Sequence, residues 1–189
     1  MQAATIFLVA VLVTSHSVAA ANADAETPWQ ALQAGGHVAL MRHATAPGTG
    51  DPPGFRIDDC TTQRTLSAEG RLEAKRIGAA FRARAVPVEG VWSSQWCRCL
   101  ETAELLDLGT PIPLPALNSF FEDRGEEADR TAAVRAFLAA LPLAGTAVLV
   151  THQVNITALT GIVPRPGETV AAKPLAGGGL KVVGRIPPP

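Results

Sequence analysis

Apolar residues occur along this chain in two patterns, short continuous runs and longer stretches with helical spacing. Continuous runs of about four to eight apolar residues are typical of strands that are covered on both faces of a sheet. The sequence predicts strands at His37–Met41, Gly90–Ser93 and Thr146–Val150. Two further strand-like stretches, 168–172 and 180–186, follow near the carboxyl terminus and are joined through a run of three glycines.

Between these runs, the apolar residues are spaced as on one face of a helix. One helix is predicted to begin after Ser67, a good N-cap residue. Its buried face would consist of small and apolar residues, Gly70, Ala74, Ile77 and Phe81. Other helices are predicted over 99–108, 129–141 and 154–159, the first of them ended by Gly109. Strands that alternate with helices predict an α/β fold, a three-layer sandwich with a mostly parallel central sheet.

The first 25 residues have the composition of a secretory signal peptide. They contain no Lys or Arg, and the apolar run Ile6–Val13 is followed by small-residue patterns such as Val18-Ala19-Ala20. The run is shorter than the roughly 20 apolar residues that cross a bilayer. We therefore predict a signal peptide over 1–25, one domain over 26–189, and a periplasmic or secreted protein with no membrane span after cleavage. An uncleaved anchor is the alternative, because the α-amino group is the only positive charge before the run.

The charge balance excludes a nucleic-acid-binding protein that works through bulk positive charge. The 189 residues contain 16 Lys and Arg against 17 Asp and Glu, with a formal net charge of −1. Thirteen of the 16 basic residues are arginines. Arginine suits bidentate binding of phosphate or carboxylate, so this bias favours a small anionic ligand. A GC-rich genome explains the same bias.

Three cysteines, Cys60, Cys97 and Cys99, lack the paired spacing of a zinc site. In an oxidising compartment Cys60 is expected to pair with either Cys97 or Cys99. Three buried reduced cysteines are the alternative if the protein is not exported. No metal or other cofactor is expected, since no nucleotide loop of the Gly-x-x-x-x-Gly-Lys type occurs and His37 is expected to be structural.

Charged residues follow three of the predicted strands at the point where each strand ends. Arg42 and His43 follow the first strand, Arg98 lies just beyond the second, and His152 comes after the third. Chemistry in α/β folds collects beyond the carboxyl ends of neighbouring strands, so these side chains would meet at one edge of the sheet. A neutral imidazole can attack phosphorus while guanidinium groups neutralise the phosphoryl oxygens. The set is therefore suited to phosphoryl transfer.

These residues lie in segments that resemble the histidine phosphatase superfamily (branch 1), which has the phosphoglycerate mutase-like fold. The segment Leu40-Met41-Arg42-His43-Ala44 resembles the family's Arg-His-Gly signature, with alanine in place of glycine. Three more segments match in the same order: Leu66-Ser67-Ala68-Glu69-Gly70, Ser93-Ser94-Gln95-Trp96-Cys97-Arg98-Cys99-Leu100-Glu101-Thr102-Ala103 and Val148-Leu149-Val150-Thr151-His152. In the second of these, glutamine stands at the usual proline position. The ordered set covers nearly all of the chain after the predicted signal peptide.

The resemblance implies a role for each matching residue. His43 would be the nucleophile that becomes phosphohistidine. Arg42 and Arg98 would clamp the phosphate, and His152 would bind it and stabilise the transition state.

The family also uses an acid that protonates the leaving oxygen, on a loop after the second helix. In this chain that loop offers Glu122 and Asp123, with a slight preference for Asp123. The adjacent pair Phe120-Phe121 would desolvate the carboxyl group so that it keeps a proton near pH 7.

For two further candidate substrate-binding residues, the sequence allows two interpretations each. Arg64, in the long loop 44–64, would contact a second anionic group of the substrate or lie on the surface as an ordinary charge. Asn155 would bind substrate or cap the helix that it begins.

The resemblance predicts a phosphomonoester hydrolase that works through phosphohistidine on a small phosphorylated substrate. Mutases of the family are longer and enclose their phosphoglycerate, so hydrolysis is favoured for this short chain. Export adds a similarity to periplasmic enzymes that act on phosphorylated envelope sugars. The alternatives are a phospho-ligand-binding protein of the same fold without turnover and an envelope-anchored interaction protein.

Overall fold

The computed structural model describes the backbone of residues 19–189 and the side chains from residue 27 onward. Most of the predicted signal peptide lies outside the described residues. The first described helix, α1, covers Ala19–Ala34, and its residues Trp29 and Leu32 are buried in the core. The sequence analysis does not predict this helix. Within the described part of the chain, no helix combines the length and the apolar composition needed to cross a bilayer.

Six strands and four further helices follow α1 along the chain. The strands are β1 His37–Arg42, β2 Val88–Ser93, β3 Pro111–Pro113, β4 Thr146–Thr151, β5 Thr169–Pro174 and β6 Leu180–Ile186. The helices are α2 Ala68–Ala83, α3 Cys97–Leu106, α4 Glu127–Ala140 and α5 Gln153–Thr160. The strands form one sheet in the order β3-β2-β4-β1-β5-β6. The predicted alternation of strands and helices is confirmed.

Parallel pairing joins four of the six strands. β2 pairs in parallel with β3, and β4 pairs in parallel with both β2 and β1. β5 and β6 extend the sheet as antiparallel strands. The prediction of a mostly parallel sheet holds for the first four strands in spatial order and not for the last two. The short connection between β5 and β6 explains why these two strands pair antiparallel, because a parallel pair needs a crossover of a dozen or more residues.

The central strands are buried on both faces, as their continuous apolar runs predict. In β1, Val38 and Leu40 belong to one core, whereas Ala39 and Met41 belong to the other, since successive side chains of a strand point to opposite faces. The first core contains residues of α4 and α5, and the second contains residues of α1, α2 and α3. This is the predicted three-layer sandwich.

The predicted helix faces are more accurate than the predicted helix ends. Ser67 caps α2, and its Oγ accepts the Gly70 N–H at 2.9 Å. The predicted face of this helix is buried at Gly70, Ala74, Ile77 and Phe81. α3 begins and ends two residues earlier than predicted, and Gly109 is not its terminator. Instead Asp107 adopts the left-handed conformation, with φ of 52°, and its N–H closes on the carbonyl oxygen of Glu104.

A disulfide joins Cys60 to Cys97, with 5.7 Å between the Cα atoms. Of the two predicted pairings this is the one formed, and Cys99 stays reduced and fully buried. Cys60 lies in the long loop between β1 and α2, and Cys97 is the first residue of α3. The bridge therefore ties that loop to the helix that carries Arg98.

We expect Cys60→Ser to lower the free energy of unfolding. The bridge spans 37 positions, and closing a loop of that size in the unfolded chain corresponds to about 3–4 kcal/mol. In a chain of this length that change lowers the melting temperature by roughly 10 °C. Thermal unfolding followed by circular dichroism measures the shift. Reductant should bring the wild type to the variant's melting temperature and leave the variant unchanged; equal melting temperatures without reductant would contradict the prediction.

Candidate functional site

The carboxyl ends of β2, β4 and β1 lie side by side because β4 pairs in parallel with both neighbours. Arg42 is in register with Thr151. Past the strand ends, the His43 N–H donates to the Thr151 carbonyl and the Ser94 N–H donates to the Val150 carbonyl, both at 2.9 Å. The predicted meeting of three strand ends at one edge is confirmed.

A cavity of about 530 Å³ opens at this edge of the sheet. Its buried inner end contains the two histidines and Arg98, and its outer part is formed by the loop after β1 and the loop before α4. All but one of the predicted site residues line it: Arg42, His43, Arg64, Arg98, Glu122, Asp123 and His152. The exception is Asn155.

His43 is nearly fully buried, and its ring orientation decides which nitrogen is available for chemistry. Nδ1 lies 2.8 Å from the carbonyl oxygen of Ala44, which can only accept, so Nδ1 carries the ring proton. Nε2 therefore keeps its lone pair, and Nε of Arg98 donates to it at 3.3 Å. Burial, followed by the positive charge of Arg98, lowers the pKa of His43 to about 3. The imidazole is thus neutral at physiological pH and has a nucleophilic Nε2.

His152 lies beside His43, with 5.5 Å between the ring centroids and an interplanar angle of 70°. Its Nε2 is 2.9 Å from Ser94 Oγ and 3.5 Å from Cys99 Sγ. Its Nδ1 has no hydrogen-bond partner among the described residues. Burial, followed by the proximity of the His43 ring and the charge of Arg98, holds the pKa of His152 well below its usual value. Both rings are therefore neutral, and Nε2 of His43 accepts a hydrogen bond from Nε of Arg98.

The segment that follows His43 is anchored to α3. The Ala44 N–H donates to Thr102 Oγ1 at 3.1 Å, and the same hydroxyl donates to the Arg98 carbonyl at 2.7 Å. Arg98 and Thr102 are one helical turn apart, so these hydrogen bonds link the segment after His43 to the helix that carries Arg98. Ala44 is fully buried without positive φ, which agrees with the substitution of alanine for glycine.

Asp51, which the sequence analysis does not identify, holds Arg98 in place. Its carboxylate accepts Nη1 of Arg98 at 2.8 Å and Nη2 at 3.2 Å, and Nε1 of Trp96 donates to it at 2.9 Å. The Arg98 and Asp51 side chains are only 3% and 9% exposed. Burial raises the pKa of Asp51, but the hydrogen bonds from Arg98 and Trp96 outweigh it and leave the pKa below its usual value. Because the Asp51 carboxylate binds Nη1 and Nη2 of Arg98, Nε of Arg98 is left to donate to His43.

Arg42 and Arg64 complete a cluster of guanidinium groups. Nη1 of Arg42 donates to the Pro164 carbonyl at 3.0 Å, whereas its buried Nε has no acceptor among the described residues. Burial, followed by the charge of Arg98, lowers the pKa of both Arg42 and Arg64. Arg64 donates to carbonyl groups of the segment 46–50. It holds that loop over the cavity, a role that neither of its two interpretations from sequence includes.

Glu122 and Asp123 lie on the outer, exposed part of the cavity lining. Asp123 caps a short turn, with its Oδ1 accepting the Gly125 N–H at 2.9 Å. Phe120 is buried in the interior, and Phe121 is 43% exposed. The two phenylalanines therefore do not desolvate the carboxyl groups, in contrast to the expectation from the sequence. Which of the two carboxyl groups acts as the acid stays a prediction.

Asn155 lies behind the cavity, within α5. It does not cap the helix, since the N-cap residue is His152. Its Nδ2 donates to the Asn118 carbonyl at 2.9 Å. Asn118 in turn accepts the Gln95 N–H and donates to Gln95 Oε1, both at 2.9 Å. The glutamine that replaces the family's proline thus joins the loop after β2 to the loop that carries Glu122, and Asn155 supports that loop.

The charges of the inner cavity suit an oxyanion. Within the described residues, no group of three or more His, Cys, Asp or Glu side chains is arranged to hold a metal ion. The groups that face the inner cavity are instead neutral imidazoles and guanidiniums, one of them paired with Asp51. Guanidiniums bind phosphate oxygens through charge-assisted hydrogen bonds.

Comparisons with known proteins agree with this geometry. The family model described as histidine phosphatase superfamily (branch 1) matches residues 38–131. Comparison with curated proteins gives no match. The fold is similar to that of the protein histidine phosphatase SixA complexed with tungstate, at 17% identity and a TM-score of 0.55, covering 80% of this chain and 97% of that one.

Two other solved structures are similar to the same extent. A phosphoglycerate mutase from Thermus thermophilus is 21% identical with a TM-score of 0.56, over 79% of this chain and 98% of the mutase. A phosphoserine phosphatase variant from Entamoeba histolytica in complex with phosphoserine is 14% identical with a TM-score of 0.55, over 79% and 95%. Identities this low show the fold alone.

We expect the free energy of unfolding to fall as the pH is lowered from 7 to 5. His43 and His152 have lowered pKa values in the folded protein, whereas unfolded histidine titrates near pH 6.5. Below that pH the unfolded chain binds more protons than the folded one, so protonation favours unfolding. The two groups together predict a loss of about 3–4 kcal/mol over this range. Urea unfolding at a series of pH values measures it.

His43→Asn is the control for this pH dependence, because it removes one of the two histidines and should roughly halve the loss. The His43 ring signals in nuclear magnetic resonance spectra should not titrate between pH 5 and 8. A titration midpoint inside that range in the folded protein would contradict the assignment of a neutral ring.

Proposed function

Because the chain belongs to the histidine phosphatase superfamily, branch 1, we propose that it is a phosphomonoester hydrolase that works through a phosphohistidine at His43. The observation that carries this proposal is the unprotonated Nε2 of His43 beside a cluster of guanidinium groups. A nucleophile and its charge stabilisers are thereby assembled in one cavity before any ligand arrives.

In the first step, Nε2 of His43 attacks the phosphorus atom. The P–N bond forms, the bond from phosphorus to the leaving oxygen breaks, and the electron pair leaves with that oxygen. The proton on Nδ1 is hydrogen-bonded to the Ala44 carbonyl, so the ring becomes a cationic phosphoimidazole whose charge is balanced by the phosphoryl oxygens. Nucleophilic catalysis of this kind divides one difficult displacement into two easier ones.

The guanidinium groups stabilise the charge on the phosphoryl oxygens during transfer. Nε of Arg98 lies 3.3 Å from the attacking nitrogen, so this donor is already positioned where the phosphoryl group arrives. Nε of Arg42 and Nδ1 of His152 have no hydrogen-bond partner among the described residues. The first supplies a further donor, and the second a donor or an acceptor, to a ligand in the cavity that both residues line. Fixed donors of this kind need no reorganisation at the moment of reaction.

In the second step, water attacks phosphorus, the P–N bond breaks, and inorganic phosphate is released with His43 restored. The outer cavity favours hydrolysis over mutase chemistry, because its lining at Phe121, Glu122 and Asp123 is exposed to solvent. Water can therefore reach the phosphoenzyme.

We further propose that the protein is exported to the periplasm or secreted, with a signal peptide over 1–25 and the phosphatase domain over 26–189. The composition of the first 25 residues supports this. The Cys60–Cys97 disulfide supports it as well, since such bonds persist in oxidising compartments.

The activity is tested with 4-nitrophenyl phosphate in the presence of EDTA. We expect the purified protein to hydrolyse this substrate and to accumulate an acid-labile phosphohistidine, detected by mass spectrometry after an alkaline quench. His43→Gln should abolish the phosphohistidine and lower kcat/KM by about 10³-fold or more.

His37→Gln is the matched control, because His37 lies at the opposite end of β1, where its Nδ1 is bonded to the Gly35 carbonyl. It should retain activity. Equal activity of His43→Gln and wild type would refute the nucleophile assignment. Binding of inorganic phosphate without any phosphohistidine would support the alternative, a phospho-ligand-binding protein.

A further inference from the structure

Ser94 places a buried hydroxyl group against the second histidine of the site. It is the first residue after β2 and is fully buried, and its N–H donates to the Val150 carbonyl at 2.9 Å. The pairing of β2 with β4 thus positions both Ser94 and His152. Oγ of Ser94 lies 2.9 Å from Nε2 of His152, and neither step of the proposed reaction involves this hydroxyl group.

The contact matters because a neutral imidazole has one donor nitrogen and one acceptor nitrogen. The hydrogen bond made by one ring nitrogen therefore decides what the other can do. Nδ1 of His152 has no hydrogen-bond partner among the described residues, and the ring lines the cavity, so Nδ1 is the nitrogen that a ligand meets. If Ser94 donates to Nε2, Nδ1 carries the ring proton and is a donor; if Ser94 accepts from Nε2, Nδ1 presents a lone pair.

The contacts of the Ser94 hydroxyl favour the first arrangement. Its oxygen accepts the Trp96 N–H at 3.3 Å, and its hydrogen has two acceptors within reach, Nε2 of His152 at 2.9 Å and Oδ1 of Asn118 at 3.3 Å. The longer distance exceeds the range of about 2.5–3.0 Å that is usual for a hydroxyl donating to oxygen. Oδ1 of Asn118 also accepts the Gln95 N–H at 2.9 Å already. The hydroxyl hydrogen is therefore directed at His152, because a buried donor left with a poor acceptor costs free energy.

The Cys99 thiol is the other group close to Nε2 of His152, with 3.5 Å between sulfur and nitrogen. Burial, its largest influence, raises the pKa of this thiol to about 12, so the sulfur keeps its proton. Sulfur is a weak donor and a weak acceptor, and Sγ also lies 3.8 Å from the Thr151 carbonyl oxygen. The thiol therefore does not displace the Ser94 hydroxyl as the partner of Nε2.

A donor at Nδ1 of His152 suits the ligand of the proposed reaction. The oxygens of an ionised phosphoryl group only accept hydrogen bonds, so an N–H group binds them and a lone pair repels them. A donor that is fixed before the ligand arrives needs no reorganisation during phosphoryl transfer.

Building on the proposed phosphatase activity, we propose that Ser94 is a positioning residue that sets the tautomer of His152. Its hydroxyl donates to Nε2 and keeps the ring proton on Nδ1, so that His152 meets the phosphoryl oxygens with an N–H group. Ser94 does not line the cavity, and it acts only through His152. The proton stays on Nδ1 through both steps of the reaction.

The tautomer is measured in the unliganded protein by nuclear magnetic resonance. Long-range ¹H–¹⁵N correlation spectra of the imidazole rings distinguish a protonated Nδ1 from a protonated Nε2. In the wild type at pH 7 we expect a protonated Nδ1 in both His152 and His43, since Nδ1 of His43 is bonded to the Ala44 carbonyl. In Ser94→Ala we expect the tautomer with a protonated Nε2 to appear at His152 and not at His43. A protonated Nε2 at His152 in the wild type, or an unchanged His152 in Ser94→Ala, would overturn the proposal.

Ser93→Ala is the matched control for this substitution. Ser93 is the adjacent residue and is equally buried, but its Oγ donates to the Ser94 carbonyl at 2.8 Å and not to a histidine. We expect Ser93→Ala to leave the tautomer of His152 as in wild type. The same change at His152 in both variants would show a general disturbance of the strand end and refute a specific role of Ser94.

The kinetic test uses kcat/KM for 4-nitrophenyl phosphate. Removal of one fixed donor from an active site lowers the rate by about 10²–10³-fold, and we expect Ser94→Ala to cost about 10–10²-fold because part of the His152 population keeps its Nδ1 proton. In a His152→Ala background the same substitution should change kcat/KM by less than about 2-fold, because the ring through which Ser94 acts is gone. An equal loss in both backgrounds would contradict the proposal.

These measurements separate the role of Ser94 from the phosphatase function. Absence of phosphohistidine at His43 would refute the phosphatase function, whereas the tautomer of His152 is measured without any turnover. Phosphohistidine formed by a protein whose His152 is protonated on Nε2 would leave the phosphatase function standing and refute only the role of Ser94.

Discussion

The parallel pairing of β4 with both β1 and β2 is the constraint on which the rest of the site depends. β4 is buried at every residue, so a shift of one position would expose its apolar residues and break the register on both sides. That register places Arg42 opposite Thr151 and continues into the hydrogen bond from the His43 N–H to Thr151. The position of His43 is thus fixed by the core of the sheet, and the loops contribute only what surrounds it.

Around this fixed point, long-range contacts set the orientation of Arg98. The guanidinium is buried, and a buried charge is tolerated only when it is paired and hydrogen-bonded. Asp51 provides the pair, Trp96 binds the same carboxylate, and the disulfide at Cys97 fixes the start of the helix. The loop after β1 therefore contributes a negative charge to the site and also lines the cavity.

The elements near the site could be predicted from sequence where the signal is local. β1, β4 and the buried face of α2 follow from apolar runs and from helical spacing, and the ends of β1 and β4 place His43 and His152. β3 is not predicted because Pro111 and Pro113 are typical of loops, although proline is accepted on an edge strand.

Asp51 and Asn118 could not be found, because their partners are distant along the chain and nothing in the local pattern indicates them. For Glu122 and Asp123 the sequence indicates a loop that lines the cavity but not the exposure of the two carboxyl groups, which depends on the burial of Phe120 and the exposure of Phe121.

The charges at the inner end of the cavity match the ligand of the proposed reaction. Arg42, Arg64 and Arg98 are cationic, Asp51 is anionic, and the two histidines are neutral. Three positive charges against one negative leave an excess of two positive charges among these side chains. A phosphate monoester carries close to two negative charges at pH 7, since its second ionisation lies near pH 6. If Asp51 were absent, the excess positive charge would grow and Arg98 would lose the contact that directs its Nε to His43. The carboxylate of Asp51 therefore both sets the net charge of the site and orients Arg98. The net charge also depends on the two histidines being neutral.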